Sequence, residues 1–229
     1  MVYLAMTAAE FRSVEKLPER CAWMACHFSP YGTGLTNLPS DLPEGSLLIL
    51  NDRTPVHGHD PMRIRETLEQ LIDQYKCSGL LLDFQRPECK ESQLIIQELL
   101  RLPCPVCVAV PYGDDLDCPI FLPPVPLHLT PEEYLKPWSN REIWLDAALD
   151  SQIWMITESG SILTPPESKE IPECPHFDDE LLCHYRIDTA PERATLTLQR
   201  TYDDLNKLLD EAQKYGVTRA VGLWQEFAR

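Results

Sequence analysis

The segment Ser78-Gly79-Leu80-Leu81-Leu82-Asp83-Phe84-Gln85 reads as a buried apolar strand that ends in a carboxylate, an aromatic ring and an amide. A strand-end carboxylate can orient a polar ligand or move a proton. Gln85 shares the side of Asp83 if the chain stays extended. Its amide can donate a hydrogen bond but cannot deliver a proton. An equally good reading is that both residues cap the strand end and bond to loop backbone. A second constellation is His57-Gly58-His59-Asp60, with Asp52 just upstream. Two imidazoles so spaced could share a metal. Asp60 is already wanted as a helix N-cap, and no further histidine has suitable spacing, so no metal site is assigned. Cys104-Pro105-Val106-Cys107 leads into a strand rather than opening a helix and has no second Cys pair, so it reads as buried structural thiols. No phosphate-cradling glycine loop and no G-x-S-x-G elbow occurs, and no cofactor is expected.

These residues need elements to hold them. Apolar, β-rich runs occur at Ala22–Phe28, Leu47–Asn51, Gly79–Phe84, Val106–Val110, Ile120–Val125, Ile143–Leu149 (with a possible partner in Ile153–Thr157), His184–Asp188 or Ala194–Leu198, and Ala220–Trp224. Several are continuously apolar, which suits strands covered on both faces, as in a parallel sheet. Helices are predicted from Asp60-Pro61 to Tyr75, over Glu91–Leu102 and from Thr201 to Tyr215, by caps and apolar spacing. Residues 52–110 and 195–224 read as strand–helix–strand units. The expectation is one (β/α)8-barrel-like domain over residues 1–229, its helices short or missing in the proline-rich middle. A doubly wound open sheet is the runner-up. In a barrel the site lies at the C-terminal strand ends. Those ends supply His27, Asp52, Asp83, Gln85, Glu88, Tyr112, Glu158, Trp224, Gln225 and Glu226 among others.

The strand at 78–85 resembles the signature strand of family-18 glycoside hydrolases, the chitinase family, whose pattern is Asp-Gly-x-Asp-x-Asp-aromatic-Glu. Gly79, Asp83 and Phe84 match, whereas Ser78, Leu81 and Gln85 stand at the two first acidic positions and at the catalytic glutamate. Tyr202-Asp203-Asp204 and Val217–Trp224 look like that family's last helix and last strand, with Trp224 where a tryptophan floors the sugar subsite. The resemblance covers segments 61–88 and 195–226. It implies a barrel that binds a carbohydrate or related polar ligand through Asp83, Gln85, Tyr112, Glu158 and Trp224. It also implies loss of the usual hydrolysis, because the family protonates the glycosidic oxygen with a carboxylic acid that Gln85 does not supply. The alternatives are an active hydrolase using other strand-end carboxylates (Glu88, Glu158 or Glu226), a metal-dependent barrel enzyme on the His57/His59 loop, and a non-catalytic interaction protein.

Composition narrows the partners. Acids outnumber bases 36 to 20, for a net charge of −16, and no basic stretch interrupts them. Such a surface repels phosphate backbones and anionic lipid, so neither nucleic acid nor membrane is expected as a partner. The start MVYLAMTAAEFRSVEK lacks a basic n-region, and the nine cysteines are odd in number. Both point to reduced thiols and a cytoplasmic location.

Overall fold

A computed structural model describes residues 2–87, 89–164 and 173–228. Its first elements are β1 (Val2–Met6), α1 (Ala8–Ser13), β2 (Cys21–Phe28), the short β3 (Leu35–Thr36) and β4 (Leu47–Asn51). Then come α2 (Pro61–Tyr75), β5 (Gly79–Asp83), α3 (Lys90–Leu99), β6 (Val106–Ala109), α4 (Val110–Gly113), β7 (Ile120–Leu122), α5 (Pro131–Leu135) and β8 (Ile143–Asp146). The chain continues through β9 (Ser151–Thr157), β10 (Gly160–Thr164), β11 (His176–Asp178), β12 (Cys183–Ala190) and β13 (Arg193–Gln199). It ends with α6 (Tyr202–Ala212), β14 (Val217–Leu223) and α7 (Trp224–Phe227). These elements fall into two compact units, one of Met1–Pro123, Arg141–Asp146 and Thr218–Arg229, the other of Pro124–Asn140 and Ala147–Val217.

The first unit is a closed barrel of eight parallel strands in the order β1, β2, β4, β5, β6, β7, β8 and β14, with β14 returning to β1. Alternation divides its side chains into two layers. Tyr3, Ala5, Ala22, Leu47, Ile49, Leu81, Cys107, Trp144 and Val221 fill the interior. Leu48, Leu50, Leu80, Leu82, Val106 and Val108 face outward and pack with Ile64, Leu68, Ile95, Ile96 and Leu99 of α2 and α3. Burying each such side chain contributes about 1.5–3 kcal/mol. Helix α2 starts where Asp60 accepts from the Met62 amide, with Pro61 in the first turn, and stops at Lys76 in the left-handed conformation (φ 49).

The central helices are short, as the proline-rich middle implies: α4 has four residues and α5 five. Two expectations need correction. The first barrel strand is not Ala22–Phe28 but β1, which pairs in parallel with both β14 and β2 and so closes the barrel. Five residues at the chain start, read for leader character, carried too little periodicity to announce a strand. The run at 143–149 ends as a strand at Asp146, and Ser151–Thr157 pairs with β10 and β13 instead.

The second unit is an antiparallel sheet in the order β10-β9-β13-β12-β11, with Leu127, Cys183 and Leu198 at its core. Residues 195–224 are therefore not a parallel strand–helix–strand unit, because β13 pairs antiparallel with β9 and β12. Arg200 is buried here, donating Nη1 to the Val125 carbonyl at 2.7 Å. Helix α6 opens on a capping box between Thr201 and Asp204. All nine cysteines are free thiols. No helix among the described residues is long and apolar enough to cross a membrane.

Candidate functional site

The C-terminal rim of the barrel is where its inward positions turn polar. On β4 the inward series runs Leu47, Ile49, Asn51, and on β5 it runs Gly79, Leu81, Asp83. On β8 it runs Trp144, Asp146. Register carries the polar row across strands, since His27 pairs with Asn51 and Asn51 with Asp83. His27 Nδ1 and Asn51 Oδ1 are 3.2 Å apart. Each of these residues is half-buried.

Asp146 stands at the end of β8. Burial, then the charges of Asp83 and Glu226, push its carboxyl up to about 6. Glu226 comes from the first turn of α7, directly after β14. Asp146 can thus hold or release a proton near neutral pH.

The turn after β5 is held from below. Asp52, almost fully buried, accepts the Gln85 amide on Oδ1 and the Arg86 amide on Oδ2, each at 2.9 Å. Arg86 returns the contact by donating Nε to the Asp52 carbonyl at 2.7 Å. With its backbone so clamped, Gln85 donates Nε2 to Asp83 Oδ1 at 2.7 Å while its side chain remains exposed.

Of the residues singled out from sequence, Asp83, Gln85 and Trp224 stand at this rim. Trp224, half-buried, is the first residue of α7, and β14 runs parallel with β5 in the closed barrel. Tyr112 lies in the outer layer instead, where its ring meets Phe84 edge-on at 6.0 Å and its hydroxyl donates to the Pro87 carbonyl at 3.1 Å. It supports the turn below Gln85. Glu158 sits exposed in the turn between β9 and β10 of the second unit. Glu88 lies outside the described residues. His57 and His59 turn to separate partners, Glu91 at 3.3 Å and the Ser29 carbonyl at 3.0 Å. Among the described residues no cluster of three His, Cys, Asp or Glu side chains could hold a metal. Sequence reading missed Asp146, although Ile143-Trp144-Leu145-Asp146 repeats the apolar-run-then-carboxylate pattern of 80–83.

No protein-family model and no curated protein matches the chain by sequence. Solved structures do match by shape. The class V chitinase of Nicotiana tobaccum superposes with a TM-score of 0.62 at 9% identity, covering 97% of this chain and 92% of that one. A Glu-to-Gln mutant of that chitinase in complex with NAG4 gives 0.60 at 9% identity, covering 97% and 92%. The spore cortex-lytic enzyme SleL of Bacillus cereus gives 0.56 at 9% identity, covering 96% and 69%. A chitinase-like agglutinin from Robinia pseudoacacia gives 0.53 at 10% identity, covering 96% and 93%. Identities this low speak for architecture alone, and the architecture is the (β/α)8 barrel that this chain shares with chitinases and chitinase-like proteins.

Proposed function

We propose that the chain binds a carbohydrate or a related hydroxyl-rich ligand at the C-terminal mouth of its barrel, without chitinase-type hydrolysis. The observation that carries this reading is the Gln85 amide donating to Asp83 at 2.7 Å. A general acid at this position would need a proton to give, and an amide has none to transfer at neutral pH. The side chains that remain suit binding. Asp83, Asp146 and Glu226 accept hydroxyl hydrogen bonds, Asn51 and Gln85 both donate and accept, and Trp224 offers a ring face for stacking. Two of the similar structures favour the same reading: one is an agglutinin, and another holds NAG4 with a glutamine in place of a glutamate.

Asp146 favours a second reading, hydrolysis by carboxylates other than the one missing at position 85. Its carboxyl near 6 has the proton affinity of a general acid, and the charges of Asp83 and Glu226 act on it. One experiment separates the two. The chain is titrated with the N-acetylglucosamine tetramer in a calorimeter, and the same mixture is chromatographed for shorter products. The expected result is binding without products, with Trp224→Ala weakening binding about tenfold through loss of ring stacking. Products formed by the native chain and abolished in Asp146→Asn would establish the second reading. Absence of binding to this and other neutral oligosaccharides would sink the first.

A further inference from the structure

The opposite, N-terminal face of the barrel carries a groove of about 630 Å³ that the mouth does not use. It lies between the C-terminal half of α2 and the loop that enters β6. Ile72, Cys77, Pro103 and Cys104 supply its apolar lining, and Glu66, Glu69, Gln70, Asp73 and Lys76 its polar lining. The loop, which follows the end of α3 at Leu99, carries Pro103 and Pro105.

The three acids stand at i, i+3 and i+7 of α2, so they form one stripe about 10 Å long. Of the three, only Asp73 stands in the last turn, where the helix dipole disfavours an acid. The first turn of α2 has no acid and its last turn no base. Arg63 and Arg65 sit toward the N-terminal end and Asp73 in the last turn, each at the end of the helix dipole that disfavours it. Lys76 pairs with Asp73 at 2.6 Å, and Arg65 turns away to Glu98 on α3 at 3.3 Å. Glu66 and Glu69 make no ion pair among the described residues. A free amine would answer that charge alone, whereas the neighbouring apolar and thiol lining calls for an apolar group as well.

We propose that this groove docks a basic amphipathic segment of a partner protein. Two Lys or Arg side chains one helical turn apart would meet Glu66 and Glu69, and an apolar side chain would cover Pro103 and Cys104. Charge complementarity with a chain of net charge −16 carries the choice of a basic occupant.

The test uses the full chain and a short fluorescent peptide with Lys and Leu at helical spacing, followed by anisotropy at low salt. A peptide with Glu in place of Lys should not bind. The double variant Glu66→Lys, Glu69→Lys should weaken binding about tenfold or more, while circular dichroism stays unchanged. Saturating peptide should slow alkylation of Cys104, which lines the groove, and leave the exposed Cys89 outside it unaffected. Equal binding by the double variant, or an undiminished rate at Cys104, would overturn the proposal. So would spermine protecting Cys104 as well as the peptide does, since that would mark a site for small cations.

Discussion

Replacing Asp146 with Asn should stabilise the chain at pH 8 and change its stability far less at pH 4. The Asp146 carboxyl is raised from 3.8 to about 6, by burial first and then by Asp83 and Glu226. In the unfolded chain it ionises near its ordinary value, so between about pH 4 and 6 the unfolded state binds fewer protons than the folded one. Stability therefore falls as pH rises through that window, and the whole penalty is present above it. Each tenfold in proton affinity is about 1.4 kcal/mol, so the penalty at pH 8 is at most about 3 kcal/mol. Asn keeps the size of the side chain and cannot ionise, which removes the penalty only where it exists. Chemical denaturation of the native chain and Asp146→Asn at both pH values reads the difference. A stabilisation of equal size at pH 4 and 8, or a loss at pH 8, would show that the Asp146 carboxyl is not raised in the folded chain. Asp83→Asn should act on the same window by drawing the Asp146 carboxyl back toward its ordinary range, followed by its carbon-13 chemical shift.

Asp146 also marks where sequence reading stopped short. Strands β4, β5 and β6 were legible because both of their faces are covered, which makes each a continuous apolar run bounded by turns. The helices α2, α3 and α6 were legible because caps and apolar stripes agree. At Ile143–Leu149 the apolar letters continue past the strand, and Asp146 was read as part of a run rather than as its end. Strand β13 was drawn into the wrong sheet for a different reason. A strand followed by a helix and another strand looks the same locally whether the flanking strands pair with each other or with distant partners. The pairing of β13 with β9 is decided by contacts that no window of sequence contains. The rim itself was half legible. Asp83, Gln85 and Trp224 follow from strand direction, whereas the clamp of Asp52 on the Gln85 and Arg86 amides joins residues 33 and 34 positions apart.

Gly79→Ala should cost about 3 kcal/mol, although Ala in place of an unobstructed strand glycine is ordinarily favourable by a few tenths to 1 kcal/mol. A Cβ at Gly79 would come within 2.8 Å of Trp144 Cη2 and 3.0 Å of both Arg219 Nη1 and the Pro105 carbonyl oxygen. None of the three can step aside easily. Trp144 is fully buried and donates its indole N–H to Glu142 at 2.9 Å, and the same carboxylate oxygen takes the Thr218 hydroxyl at 2.8 Å. Arg219 lies over the Trp144 ring at 4.5 Å and donates to the Ser78 carbonyl at 3.0 Å. The Pro105 carbonyl accepts the Leu80 amide at 2.9 Å, a rung between β5 and β6. Gly79 therefore matters through close approach of an aromatic ring and a guanidinium at the N-terminal end of the barrel interior, far along the strand from Asp83. The chain needs glycine there whether or not the mouth does chemistry. Trp144→Phe deletes the nearest of the three contacts and leaves a small cavity of its own. The double variant Gly79→Ala, Trp144→Phe should then be less destabilised than the two single variants added together, by about 1 kcal/mol or more in a denaturation cycle. Strict additivity, or a Gly79→Ala variant as stable as the native chain, would show that Trp144 does not occupy the space beside Gly79.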